Sequence, residues 1–263
     1  MQRDDDAPLW GATAAYLYIL HLDGPALAWE YLRRHPEYRQ SWRGRHRIRA
    51  PVDASLWGLV QWEDPDQDAR RAHPVWVPPL FSVLHITVAD DPALSCGQAF
   101  DLWHIPGRKE LIAAGTGFSL QVRQHHRVLR VRLDAGALTD RPCTCTLPFD
   151  ARASSPLAEF HALMALRARS DLWAACGYRR TPRAGRTRTY RAATLHLRAL
   201  QALDGALAGA SQRQIGEVLF GTRAVHEHWH ADSLLRAQVR HNLLRGQSFM
   251  RGGYRELLGL RQA

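Results

Sequence analysis

Apolar residues between Ala12 and Tyr38 recur at turn-like intervals, with Tyr16, Leu17, Leu20, Leu27, Trp29, Tyr31 and Leu32 marking one side. Asp23-Gly24-Pro25 interrupts the run, which predicts two short helices joined by a turn, the second ended by Pro36. The stretch that follows, through Pro78-Pro79, loses this period and carries Trp57, Trp62, Asp64-Pro65-Asp66, Pro74 and Trp76. So many tryptophans argue for an irregular packed segment with short strands, since flexible linkers seldom carry them.

Strand patterns take over at Val83 to Val88, Thr116 to Val122, residues 127–133 and Thr144 to Phe149, which together predict a small antiparallel β unit. Within 127–133, Leu129, Val131 and Leu133 fall on one face and Arg130 and Arg132 on the other, the period of a half-buried strand. Gln124, His125 and His126 would be its hairpin loop. Ser155-Pro156 then reads as a helix start, with Leu157, Phe160 and Met164 as the apolar stripe.

The last part of the chain predicts a helix-turn-helix unit. A first helix, about 190 to 208, aligns Leu197, Leu200, Leu203 and Leu207. Ser211 is a good N-cap for a second, in which Ile215, Val218 and Leu219 share a face and Gly216 permits close packing. Phe220-Gly221 ends it, a short amphipathic turn passes through Val225 and Trp229, and Asp232 or Ser233 caps a long helix to about Met250. On that helix Leu235, Val239, Leu243, Gly246 and Met250 form the buried side. Gly252-Gly253 stops it, and Tyr254, Leu257 and Leu258 return to the core. The fold class is therefore α+β: N-terminal helices and a small antiparallel β unit, followed by a C-terminal helix-turn-helix domain. Along the chain the divisions are 1–75, 76–150 and 151–263.

Composition narrows the function. With 263 residues, 46% of them apolar, the chain can bury a core without staples. Four scattered cysteines, Cys96, Cys143, Cys145 and Cys176, make no disulfide scaffold. Apolar windows such as Ala12 to Leu22 are too short to span a membrane, and Asp4, Asp5 and Asp6 stand where a signal peptide would be basic, so the expected address is the cytoplasm. The net charge of +10 rests on 34 arginines and one lysine, Lys109, which codon bias could produce. Its distribution is harder to explain that way. Residues 1–100 hold 10 basic and 13 acidic side chains, residues 101–150 hold 7 and 5, and residues 151–263 hold 18 and 7. A net +11 over the last part points to a polyanion, nucleic acid above all.

On the long helix, Arg236, Arg240 and Gln247 form a stripe beside the buried side, with His241 and Arg245 on the far edge. Arginine reads guanine edges and glutamine adenine edges in the major groove, so Arg236, Arg240, Gln247 and Gln238 are the base-reading candidates. Arg213, Arg223, Arg245 and Arg251 would neutralise phosphates. So would Arg179, Arg180, Arg183, Arg186, Arg188 and Arg191, an acid-free stretch broken by Pro182 and Gly185 that reads as a basic loop between helices.

Catalytic chemistry finds little support. His226 and His230 are four apart and would share a helix face, but the zinc-protease order is missing and no cysteine is near in sequence. Cys143-Thr144-Cys145 lacks the two-residue spacer, and Gly115-Thr116-Gly117 lacks the later glycine and lysine of a phosphate loop. Glu63, Asp64, Asp66 and Asp68 could hold Mg²⁺ in principle, though Asp64-Pro65-Asp66 looks like a turn. The expectation is a protein that is not an enzyme and needs no cofactor and no metal.

Three stretches carry a family resemblance. Ser211-Gln212-Arg213-Gln214-Ile215-Gly216-Glu217-Val218-Leu219-Phe220-Gly221, then Trp229 and Ser233-Leu234-Leu235-Arg236, and finally Gly252-Gly253-Tyr254-Arg255-Glu256-Leu257-Leu258 resemble the C-terminal DNA-binding domain of RovC-like proteobacterial transcription factors. The run from Leu22 to Arg39, with Trp29-Glu30-Tyr31-Leu32-Arg33-Arg34 at its centre, resembles the regulator-like domain at the N-terminus of such proteins. The resemblance implies a transcriptional activator, oligomeric in some relatives, that acts on type VI secretion genes or on genes for excision and transfer of integrative elements. The chain departs from that pattern at Leu234-Leu235 and His241-Asn242, where arginines are commoner. Expected partners are double-stranded DNA, further copies of the chain and RNA polymerase, with no membrane. Two other classes stay open. One is an RNA-binding protein, because Tyr178 and Tyr190 flank the arginine stretch; the other is an antiactivator-type protein-interaction module.

Overall fold

The computed structural model describes residues 9–45, 53–77, 81, 83–89, 99–103, 105, 107–124, 127–146 and 186–258. It is an α+β fold whose two compact units are discontinuous in sequence. One comprises residues 1–43, 65–70 and 182–257, the other residues 44–64, 71–181 and 258–263. Compactness thus groups the N-terminal helices with the C-terminal ones, across the sequence divisions at 75 and 150.

In the helical unit, a 3-10 helix Thr13–His21 precedes α1, Gly24–Leu32. Asp23 caps α1 by accepting from the Ala26 N–H at 3.0 Å, and Pro25 presets the first turn. Pro36 stands after this helix, as expected, but it also opens another, α2, Pro36–Gly44. A proline lacks only a donor that the first turn leaves unused, and the Arg39 N–H reaches back to the His35 carbonyl at 3.1 Å. Every residue of α1 from Pro25 to Leu32 is buried, including Glu30.

Burying that carboxylate requires partners, and the chain supplies three. Glu30 accepts from Arg33 at 2.8 Å, from Arg34 at 2.6 Å and from the Ala69 N–H at 2.7 Å. Arg34 then reaches Asp204 with two nitrogens, at 2.6 and 2.8 Å, and Tyr16 donates to the same carboxylate at 2.6 Å. Asp204 lies on α3, Arg186–Leu207. One guanidinium therefore ties α1 to a helix 170 residues away in sequence. Around it, Trp29 donates to the Gln67 carbonyl at 3.0 Å and meets Tyr38 edge to face at 5.7 Å. On α3, Leu197, Leu200 and Leu203 are buried as predicted, but Leu207 is exposed, because the helix ends there and passes the core.

The other unit is a five-stranded sheet, in the order β2-β3-β4-β1-β5. The strands are β1 Leu84–Val88, β2 Arg108–Ala114, β3 Gly117–Gln124, β4 Arg127–Asp134 and β5 Cys143–Thr146. Pairing is mostly antiparallel, as predicted, but β1 runs parallel to β4. β2 escapes the hydrophobic pattern because it is an edge strand, with Arg108 and Leu111 exposed and Ala114 turned in. Leu120, Val122, Leu129, Val131 and Leu133 bury one face together with Leu84 and Ile86. The opposite face, assigned to solvent by its period, is covered instead. Arg130 and Gln121 are buried there, and Arg123 donates to the Ala72 carbonyl at 2.9 Å. The covering strip pairs with itself where the Val60 N–H donates to Val75 at 2.8 Å and the Val77 N–H to Gly58 at 2.9 Å. The tryptophan-rich segment thus packs, as predicted. The loop residues His125 and His126 and the helix start at Ser155-Pro156 lie outside the described residues.

Burial alone would raise the Asp204 carboxyl, and the Arg34 guanidinium overrides it, holding it below the usual carboxylate range. The pair therefore stabilises the fold above the ordinary aspartate value near pH 4 and loses that contribution as pH falls through the native value. Asp204→Ala removes one of the two carboxylates that the buried Arg34 contacts and should cost about 1–3 kcal/mol of unfolding free energy at neutral pH. Urea unfolding of the two proteins from pH 7 down to pH 3 measures both effects, and the gap should narrow at the acid end.

His196 adds a second dependence. Its Nδ1 lies 2.9 Å from the Tyr31 hydroxyl, and burial, reinforced by Arg245, lowers it to about 4. The native state keeps this imidazole neutral while the unfolded chain protonates it, so stability should fall as pH drops from about 6.5 to about 4. His196→Gln should flatten the unfolding profile in that window.

Candidate nucleic-acid interface

Three further helices follow α3: α4 Gln212–Phe220, α5 Thr222–His228 and α6 Leu234–Met250. Ser211 caps α4 through a reciprocal box. Its hydroxyl accepts from the Gln214 N–H at 3.3 Å, while the Gln214 side chain accepts from the Ser211 N–H at 2.8 Å. Gly221, at φ 93°, ends α4 and starts α5 at once, a backbone conformation that side chains disfavour.

Gly216 has the role the sequence suggested. A Cβ there would stand 2.8 Å from the Trp229 ring and 3.3 Å from a Val225 methyl, so α4 sits against α5 with no room for a side chain. Ala202, Ile215, Val239 and Leu243 form the core of this bundle, with Trp10, Leu219, Phe220 and Trp229 around them. Ser233, of the two candidates, caps α6 by accepting from the Arg236 N–H at 3.2 Å. Val239, Asn242, Leu243, Gly246 and Met250 are its buried residues.

The remaining face of α6 carries no acid. Arg236, Gln238, Arg240 and His241 are exposed on it, and Gln247 is half-buried at its border. At 100° per residue, Arg236, Arg240 and Gln247 fall within roughly 40° of one another. Leu234 and Leu244 lie between this stripe and Gln238, 81% and 60% exposed, which makes the face part apolar. Arg245 is different. Its guanidinium lies over the Phe249 ring at 5.6 Å, and Phe249 stacks on Tyr31 at 4.9 Å, so this arginine belongs to the packing of α6 on α1.

Outside α6, Arg213 and Arg223 are exposed and each faces a carboxylate four residues on, Glu217 at 3.5 Å and Glu227 at 2.9 Å. Arg251 and Arg191 are exposed. The stretch read as a basic loop is helical from Arg186 on, so Arg186, Arg188 and Arg191 sit on α3 rather than in a loop. Arg179, Arg180 and Arg183 lie outside the described residues, as does Tyr178. An exposed basic residue that the pattern did not single out is Arg198 on α3, which stacks over Phe220 at 5.6 Å. A stripe search along a single helix misses it, because its partner ring comes from α4.

The alternative chemistry is weaker in three dimensions. α5 ends at His228, so His226 and His230 do not share a helix face. Asp66 pairs with Arg39, and Asp68 with Arg70 at 2.6 Å. Among the described residues no group of His, Cys, Asp and Glu side chains is placed to hold a metal, and no helix is long and apolar enough to cross a membrane.

Residues 146–259 match the RovC DNA-binding-domain family, described as a T6SS transcription factor DNA-binding domain. Residues 9–71 match a proteobacterial transcriptional regulator-like domain, and residues 82–129 a domain of unknown function. No curated protein matches the chain. Helices α4, α5 and α6 all lie within the first of these matches, and α1 and α2 within the second.

Gly216→Val should force α4 away from Trp229 and Val225. Overpacking of this kind costs about 1–3 kcal/mol, read as a lower urea midpoint. An unchanged midpoint would mean the helices are not packed as described.

Proposed function

We propose that this protein is a sequence-specific, double-stranded DNA-binding transcriptional regulator, an activator of T6SS genes or of genes that move integrative elements. The observation that carries this reading is the acid-free exposed face of α6, within a stretch that matches a T6SS transcription factor DNA-binding domain. The net +11 of residues 151–263 supports it, because duplex DNA rewards clustered arginine by counterion release.

In this reading α4, α5 and α6 act as a helix-turn-helix unit in the cytoplasm. Arg236 and Arg240 meet guanine edges, Gln238 and Gln247 adenine edges, and His241 lies at the margin of the groove. Arg213, Arg223, Arg251 and the basic residues from Arg179 to Arg191 contact phosphates. Arg245 takes no part, since its guanidinium is engaged with Phe249. Copies of the chain assemble on the site, RNA polymerase is the target of activation, and neither catalysis nor a cofactor is required.

Selection of genomic fragments by the purified protein supplies the operator. On that operator Arg240→Ala should cost about 1–3 kcal/mol and relax sequence preference, while random DNA is bound nearly as before. Arg251→Ala should weaken operator and random DNA alike and reduce the salt slope by about one unit. Equal losses on both DNAs from both variants would contradict the division into base and phosphate contacts, and a chain without salt-dependent DNA affinity would overturn the proposal.

A further inference from the structure

The sheet has a face that its core does not use. Gln121 pairs with Arg130, and Ser119 with Arg132, so four polar side chains form a block on the side opposite Leu120, Val131 and Leu133. Val60 and the segment Pro74 to Trp76, continued by Phe81 and Val83, roof this block. Between roof and block lies a cavity of about 150 Å³. Apolar protein cavities of that size take in a benzene ring.

The chemistry of the walls is uneven. The roof is apolar, from Val60, Val75, Trp76, Phe81 and Val83. The floor carries Ser119, Gln121, Arg130 and Arg132, and among the described residues no Asp or Glu lines the cavity. Gln121 is fixed by donating to the Pro74 carbonyl at 3.4 Å, and the Arg130 guanidinium, 6% exposed as a residue, lies 6.0 Å from the centre of the Phe81 ring. Arg132 is half-buried and has no hydrogen-bond or ion-pair partner among the described residues.

We propose that this cavity binds a small organic monoanion, an apolar body about the size of a six-membered ring bearing one carboxylate. The paired N–H donors of one guanidinium match the two oxygens of a carboxylate, Arg132 offers such a group at the cavity wall, and the low-dielectric roof strengthens that pairing. A neutral ring would leave the Arg132 guanidinium without a partner among the described residues. An inorganic phosphate would set its whole hydrated surface against Val60, Val75 and Phe81, at a large desolvation cost. The site lies in the sheet unit and does not depend on the DNA reading.

Benzoate is the probe. Calorimetric titration of the full chain should show one saturable site with a dissociation constant on the order of 1 mM or tighter. Arg132→Gln should weaken it by about tenfold or more, and benzyl alcohol, of the same shape without the charge, should bind more weakly by a similar factor. Ala114→Leu, which adds carbon atoms at the cavity wall, should abolish binding; if that variant does not fold, Val60→Phe fills the space from the roof. Circular dichroism establishes that each variant is folded. Absence of saturable binding at about 10 mM benzoate would overturn the proposal. So would unchanged affinity in Arg132→Gln, or benzyl alcohol binding as tightly as benzoate.

Discussion

The Arg34 guanidinium is the point on which the helical unit depends. It lies between Glu30, fully buried on α1, and Asp204, half-buried on α3, and its charge offsets the desolvation of both carboxylates. Tyr16 and the Ala69 N–H complete the set, so the 3-10 helix, α1, the segment at 65–70 and α3 meet at a single charge cluster. Such a cluster adds less net stability than hydrocarbon of equal volume would. Its effect is on specificity: slippage of α1 along α3 strands at least one charge in the core, so one arrangement is far more stable than its neighbours. The hydrophobic side chains around it, Trp29, Tyr31, Leu200 and Leu203, then pack in that arrangement.

This constraint gives the two ends of the chain a common structural role. The stretch matching a regulator-like domain and the stretch matching a DNA-binding domain contribute helices to one unit, with α6 resting on α3 where Gly246 leaves space for the Ala199 carbonyl. The face of α6 that carries Arg236 and Arg240 is therefore oriented by packing that reaches α1 through Phe249 and Tyr31. In the sheet unit Arg130 is also buried, but for another reason: the side chains opposite the hydrophobic core are roofed by Val60 and the segment around Trp76.

Local signals were readable in the chain and long-range ones were not. Ser211 and Ser233 cap helices because a short hydroxyl beside a helical run has few other uses, and Gly216 marks a close approach because a glycine inside a helix is otherwise a cost. The alternation of Leu129, Val131 and Leu133 identified a strand by itself. The same alternation misled on Arg130, since a period of two separates faces without telling which of them meets water. Arg34 and Arg245 look like surface charges in sequence, but a carboxylate 170 residues off makes Arg34 internal, and a tyrosine-backed phenylalanine holds Arg245 half-buried. Pro36 marks the end of one helical run in the pattern, while the helix it opens shows only in the fold. The basic patch could be assigned to the C-terminal part, but which arginines are free to meet a ligand depended on the packing of α6.

The central claim is that residues of α1 and of α3 to α6 form one cooperative unit joined through Arg34. Native-state hydrogen exchange over a low urea series tests it most directly. Amides of α1 and of the Leu197 to Leu203 stretch should open with the same free energy and the same urea dependence. Exchange of α1 through a separate, lower-energy opening, with α3 and α6 still protected, would contradict it.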